Sequence, residues 1–128
     1  MTERTLVLDI GGTKIAAGLV DPDGTLVRHE QRPTPDGDAE AVWAVAASLL
    51  TTMQAEAAAP VTAVGVASAG PVHIPDGTVS PVNIAAWRDF PIVARVADAT
   101  GLPVRLGGDA LCMAMGEWWR GAGRGAQF

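Results

Sequence analysis

The chain has 128 residues, 48% of them hydrophobic, and a net charge of -5, which suits one globular domain with a true core and excludes extended disorder. Its nine Lys and Arg are spread thinly, which argues against a nucleic-acid surface, because phosphate backbones are met by clustered positive charge. No apolar run approaches the roughly 18 to 20 residues that span a bilayer, and no basic-then-apolar leader opens the chain, so it reads as cytoplasmic with no membrane partner.

Two apolar runs, Leu6-Val-Leu8 and Ile15 to Val20, read as short buried strands joined through Asp9-Ile-Gly-Gly-Thr-Lys14. The Gly11-Gly12 pair predicts a two-residue hairpin turn with positive φ. A turn without Cβ atoms lets an anionic oxygen reach the backbone amides, with the Thr13 hydroxyl and the Lys14 charge beside it. Asp9, at the end of the first strand, would then hold Mg²⁺ through water. The same residues also suit an ordinary hairpin with solvated charges. They do not form a Walker A loop, since G-x-x-x-x-G-K-[ST] is absent and a strand follows Lys14 rather than a helix.

Asp21-Pro-Asp-Gly24 predicts a turn, and Thr25 to Glu30 a third antiparallel strand with His29 as a solvated edge residue. Arg32-Pro-Thr-Pro-Asp-Gly37 reads as loop by composition, with Asp36 or Asp38 placed to cap a helix from Ala39 to about Ala59. Val42, Val45, Leu49 and Met53 recur along that helix at helical spacing. Val61 to Ala67 predicts a strand buried on both faces, and the intervening helix makes a parallel crossover the expected connection.

From Val72 to Trp87 the composition is loop-like, with a turn at Pro75-Asp-Gly77 and a brief strand at Thr78-Val-Ser80. A helix starting near Pro91 stops at Gly101. Pro103 to Leu106 predicts a fifth strand, Gly107-Gly108 a turn, and Asp109 the cap of a last helix with Leu111, Cys112, Met115 and Trp119 on one face. There is no internal repeat and no interdomain linker.

Two strand ends carry the residues with chemical potential, Asp9 with its Gly-Gly turn and Asp109. Ligands gather at such ends in open sheets. A carboxylate at a helix N-terminus stays ionised and can accept a hydroxyl proton, although Asp is a favoured cap whatever the function. Gly70 could present backbone amides, and Asn83 with Trp87 could form a pocket wall, Asn by hydrogen bonding and Trp by stacking on a sugar ring. His73 lacks a partner nucleophile or second ligand in its surroundings and reads as incidental. Cys112 cannot form an internal disulfide, and no Cys/His spacing suggests a zinc site. Only one of the adjacent Trp118 and Trp119 can face the core, so the other calls for cover from a missing domain or a second subunit.

Four segments together carry a resemblance: Leu8-Asp-Ile-Gly-Gly-Thr-Lys14, Val64-Gly-Val-Ala-Ser-Ala-Gly-Pro71, Val79-Ser-Pro-Val-Asn-Ile-Ala-Ala-Trp87, and Leu102-Pro-Val-Arg-Leu-Gly-Gly-Asp109 continuing into Gly116-Glu117 and Gly121-Ala-Gly-Arg-Gly125. In order and spacing they resemble the N-terminal lobe of a ROK-family sugar kinase, the group that contains many bacterial glucokinases. The resemblance implies an α/β, actin-like ATPase lobe with a ribonuclease-H-like core, its mixed five-stranded sheet built from three antiparallel strands and then parallel crossovers. It implies phosphoryl transfer from Mg-ATP to a hexose hydroxyl. Asp9, Gly11, Gly12, Thr13 and Lys14 would form the first phosphate loop, Gly70 and Gly108 would face the sugar, and Asp109 would be the base. Two departures stand out: the family usually has Asn where this chain has Gly108, and another Asn where it has Leu111. The family's second lobe, with the adenosine site, a Glu and a His for the sugar, and a zinc motif, would lie beyond Phe128. The chain is therefore expected to be one N-terminal lobe, residues 1–128, inactive alone, with the missing lobe or a homodimer covering its open face. The alternatives are a non-catalytic sugar sensor, for which the first strand at Thr5 leaves no preceding helix-turn-helix, and a remnant interaction module.

Overall fold

A computed structural model describes residues 3–108 of the chain. Strands β1 (Arg4–Ile10) and β2 (Lys14–Val20) form a hairpin, and β3 (Leu26–Pro33) adds to β2. Helix α1 (Ala39–Glu56) then leads to β4 (Val61–Ser68), which lies parallel to β1. A two-stranded ribbon, β5 (Val72–His73) and β6 (Thr78–Val79), precedes helix α2 (Ile92–Thr100) and the parallel strand β7 (Val104–Gly108). The main sheet has the order β3-β2-β1-β4-β7. Three antiparallel strands followed by parallel crossovers is the arrangement the sequence predicts.

Alternation along the strands sends Leu6, Leu8, Ile10, Ile15, Ala17, Leu19, Val64 and Val66 to one face, where all are buried. Onto that face α1 brings Val42, Ala46, Leu49, Leu50 and Met53, and α2 brings Ile92 and Val96. Asp38 caps α1, its carboxylate accepting from the Ala41 N–H at 2.8 Å, and Gly101 ends α2 in the left-handed region at φ 72. The two helices are clasped at one corner. The Arg95 guanidinium grips the Glu40 carboxylate at 2.9 Å and lies 5.1 Å from the Phe90 ring centroid and 5.8 Å from that of Trp43. The hydrogen bond from Arg95 holds the Glu40 carboxyl below the ordinary carboxylate range, and the same bond raises Arg95.

Four local expectations are corrected. The third strand runs on through Arg32 and Pro33, because β3 is an edge strand and a proline there forfeits no ladder bond the sheet requires. Helix α1 ends at Glu56, short of Ala59: Ala57 is already extended, and the Pro60 carbonyl is taken by the Arg4 N–H at 2.8 Å. Strand β4 is fully buried on one face only, Ala63, Gly65 and Ala67 being half-buried on the other. Gly107 and Gly108 are strand residues rather than a turn, paired with Ala67 and Ser68. The loop-like stretch after Val72 also holds the β5–β6 ribbon, whose tip carries a contact of 2.7 Å between His73 Nδ1 and the Asp76 carboxylate, both exposed.

Candidate active site

The parallel register brings three of the four sequence segments to a single edge of the sheet. Ile10 pairs with Ser68, and Ser68 pairs with Gly108, so β1, β4 and β7 end abreast. Chain segments leaving this edge carry the Gly11–Thr13 connection, the Ser68-Ala-Gly70 corner and Gly108. The Ala69 N–H donates to the Ile10 carbonyl at 3.0 Å, joining the first two directly.

The hairpin connection differs in one respect from its prediction. Neither Gly11 nor Gly12 has a positive φ; among the described glycines only Gly24, Gly77 and Gly101 do. Crowding is what demands glycine here. A Cβ on Gly11 would lie 2.9 Å from the Lys14 carbonyl oxygen, which accepts the Gly11 N–H at 3.0 Å, and a Cβ on Gly12 would lie 2.4 Å from the Asn83 Cβ. The connection is pinned from the far side by Thr34, whose hydroxyl donates to the Gly11 carbonyl at 2.7 Å and whose N–H donates to the Thr13 carbonyl at 2.9 Å. These bonds occupy carbonyls and leave the loop's exposed Thr13 and Lys14 at the surface.

Asp9 is exposed on the sheet face opposite α1, in a row with Ala16, Ala67 and Gly107. The residues beside it in that row are all small. Among the described residues no group of three His, Cys, Asp or Glu is placed to hold a metal ion.

The loop from Ser80 to Asp89 delivers the fourth segment. Val79 and Phe90 close its base with reciprocal backbone bonds of 3.0 and 2.9 Å. Inside it, two successive turns place Pro81, Ile84, Trp87 and Phe90 in the interior at every third residue, with the residues between them exposed. Asn83 is one of the outward residues and rests against Gly12. Trp87 is not. It is completely buried, stacked on Phe90 at 4.0 Å, with its indole N–H donating to the Ala39 carbonyl at 3.1 Å. It cannot stack on a sugar; its ring belongs to the core, because that burial and the α1 carbonyl satisfy both its apolar and its polar parts.

Gly12, Asn83 and the corner leading to Gly70 therefore lie with Gly108 toward the same strand ends. The Gly70–Pro71 peptide is cis. Asp109, Cys112, Trp118 and Trp119 lie outside the described residues. Sequence reasoning missed Thr34, assigned to loop by composition, and Arg88, whose contacts are described below; neither belongs to a motif that would have marked it. An open groove of about 360 Å³ between the ribbon tip, α2 and β7, lined by Gly77, Val93 and Arg105 among others, contains none of the predicted site residues. No helix among the described residues is long and apolar enough to cross a membrane.

Residues 5–128 match the model of the ROK family, and the chain belongs to that family. It is 37% identical over 121 residues to a glucokinase of Streptomyces coelicolor, the match covering 94% of this chain and 37% of the relative. Its fold is similar to that of a ROK hexokinase from Thermus thermophilus, with a TM-score of 0.83, 37% identity, and coverage of 95% of this chain and 40% of the other. It is also similar to a ROK-family glucokinase from Streptomyces griseus in complex with glucose and AMPPNP, with a TM-score of 0.80, 36% identity, and coverage of 95% and 38%. The architecture is the actin-like ATPase lobe of these sugar kinases. The chain spans less than half the length of the curated relatives it matches.

Proposed function

We propose that this chain is the N-terminal half of an ATP-dependent hexose kinase, with glucose as the expected acceptor. The observation that carries this reading is the alignment of Ile10, Ser68 and Gly108 at one sheet edge, which gathers the glycine connection, the Gly70 corner and Asn83 around the position that Asp109 follows. The Streptomyces griseus relative, which holds glucose and an ATP analogue on the same fold, supports it.

In this reading the Gly11–Lys14 segment receives nucleotide phosphates, through the Thr13 hydroxyl and the Lys14 charge that it holds at the surface. The Asp9 carboxylate would hold Mg²⁺ through water, and that ion would offset charge on the transferred phosphoryl group. Asn83 and the Gly70 backbone meet the sugar, and Asp109 accepts the proton of the attacking hydroxyl. Phosphoryl transfer relies on positioning and charge stabilisation, so an ordinary carboxylate suffices as base when it is well aimed. Gly108, where the family usually has Asn, leaves room for a bulkier sugar or a water. The remainder of the family length supplies the second half of the site, so the chain alone is inactive.

A coupled assay with Mg-ATP and a panel of hexoses tests this, comparing the chain alone with the chain joined to the portion of the Streptomyces coelicolor glucokinase that follows the matched region. Activity is expected only in the joined protein and is expected to disappear in Asp109→Asn. A folded joined protein that phosphorylates none of the hexoses would overturn the kinase reading and favour a non-catalytic module, the reading to which the Gly108 substitution points.

A further inference from the structure

Arg88 makes a set of contacts that the reading above does not use. One terminal nitrogen of its guanidinium, Nη1, donates to the carbonyls of Pro81 at 3.0 Å, Ile84 at 3.4 Å and Trp87 at 2.5 Å. These are the carbonyls left pointing the same way by the two successive turns, in which Ile84 N–H donates to Pro81 and Trp87 N–H to Ile84 at 3.1 and 3.0 Å. A cation gathering several carbonyl oxygens forms charge-assisted bonds, stronger than neutral ones, and it ties the start, middle and end of the segment to a single point. Asn83 sits in the first of those two turns, and its Cβ closes on Gly12 so tightly that no side chain fits between them.

We propose that Arg88 is a positioning residue: it holds the 81–87 segment so that Asn83 bears on Gly12, making the glycine connection and the Asn83 loop one mechanical unit. The unit has a continuous path. It runs from the guanidinium through the two turns to Asn83, across to Gly12, and through the Gly11–Lys14 and Gly11–Thr34 bonds into β2 and the residue after β3. Both ends of the path are pinned, the loop by its buried Ile84 and Trp87 and the connection by Thr34. A displacement of either loop is therefore passed to the other instead of being absorbed in solvent. Resting on the function proposed above, this makes sugar at Asn83 and nucleotide phosphate at Gly11–Lys14 linked ligands, each changing the affinity of the other by the same factor. Arg88 sets that factor without touching either ligand.

Amide hydrogen exchange on the full 128-residue chain tests the mechanical part without any ligand. Arg88→Met is expected to speed exchange of the hydrogen-bonded Ile84 and Trp87 amides by roughly tenfold or more, the size of a lost charge-assisted bond. The Gly11 amide, on the other side of the contact, is expected to follow, and Arg88→Lys, which keeps a cation and several donors, to restore part of the protection at all three. Faster exchange at Ile84 and Trp87 with Gly11 unchanged would overturn the proposal.

If Arg88→Met opens the whole sheet, seen as faster exchange of core amides in β1 and β4, the contact is tested from its other side. Gly12→Ala is expected to disturb the Trp87 amide, and Gly12→Ala with Asn83→Gly to return it to the unsubstituted rate, because the second change removes the atom that the first one meets. Disturbance that persists in the pair would reject the coupling. Titration with AMPPNP in the presence and absence of glucose then tests the linkage on the joined protein, where glucose is expected to alter AMPPNP affinity and Arg88→Met to bring that ratio toward one. A joined protein that binds neither ligand would count against the proposed function, while the exchange results would still decide the coupling.

Discussion

The corner between the two helices and the edge where the parallel strands end are built by opposite means. At the corner, Trp43, Trp87, Phe90 and Arg95 fill space with large side chains that satisfy one another. At the strand ends, Gly11, Gly12, Gly70 and Gly108 withhold side chains, and Asp9 stands among Ala16, Ala67 and Gly107. One loop serves both regions. Its inward residues Ile84 and Trp87 are packed into the corner, and its outward Asn83 is brought to the edge. Rigidity is thus made where the large side chains are and delivered where they are absent, with Asn83 filling the space that a Gly12 Cβ would take.

Substitutions on the two sides of that loop should separate accordingly. Trp87→Ala removes the largest fully buried side chain among the described residues together with its hydrogen bond to the Ala39 carbonyl, and is expected to cost about 3–5 kcal/mol in a denaturant titration. A loss under about 1 kcal/mol would mean that the corner is not what holds the loop. Asn83→Ala, four positions earlier and exposed, is expected to change stability by no more than about 0.5 kcal/mol. It should nevertheless weaken glucose binding in the joined protein; unchanged binding would remove Asn83 from the sugar site.

The smallest effect is expected at the exposed end of the corner. Glu40 has its carboxyl held below the ordinary range by Arg95, so the folded state binds that proton less readily than the unfolded chain. Its contribution is present above the unfolded carboxylate value and is lost as pH falls through the lower folded value. Glu40→Gln should therefore reduce stability slightly at neutral pH and converge with the unsubstituted chain in acid, as followed by thermal unfolding across pH. A difference that grew as pH fell would contradict the assigned sign. The Glu40 carboxylate is largely in solvent, and added salt should shrink the difference.

Much of this architecture was legible from local pattern. Alternating Val, Leu and Ile between turn formers located β1, β2 and β4, helical spacing from Val42 to Met53 located α1, and Gly101 marked the left-handed end of α2. The four segments that carried the family resemblance also named most of the residues that meet at the strand ends. Their errors share a cause. Gly-Gly at 11–12 looked like a turn needing positive φ and Gly-Gly at 107–108 like a turn, yet the first pair is glycine because other atoms come close, and the second continues a ladder with Ala67 and Ser68.

What the amino-acid sequence determined alone was whatever depends on neighbours in the chain: periodicity, an Asp cap just before Ala39, the stop at Gly101, and the order of strands and helices. What only the tertiary structure decided depends on partners remote in sequence. Trp87 became core because α1 offered it a carbonyl and Phe90 a face, and Gly12 became irreplaceable because Asn83 closes on it. Thr34 and Arg88 gained roles because carbonyls from other segments converged on them. A backbone preference is set within a few residues, whereas excluded volume and hydrogen-bond satisfaction are settled only when distant segments pack.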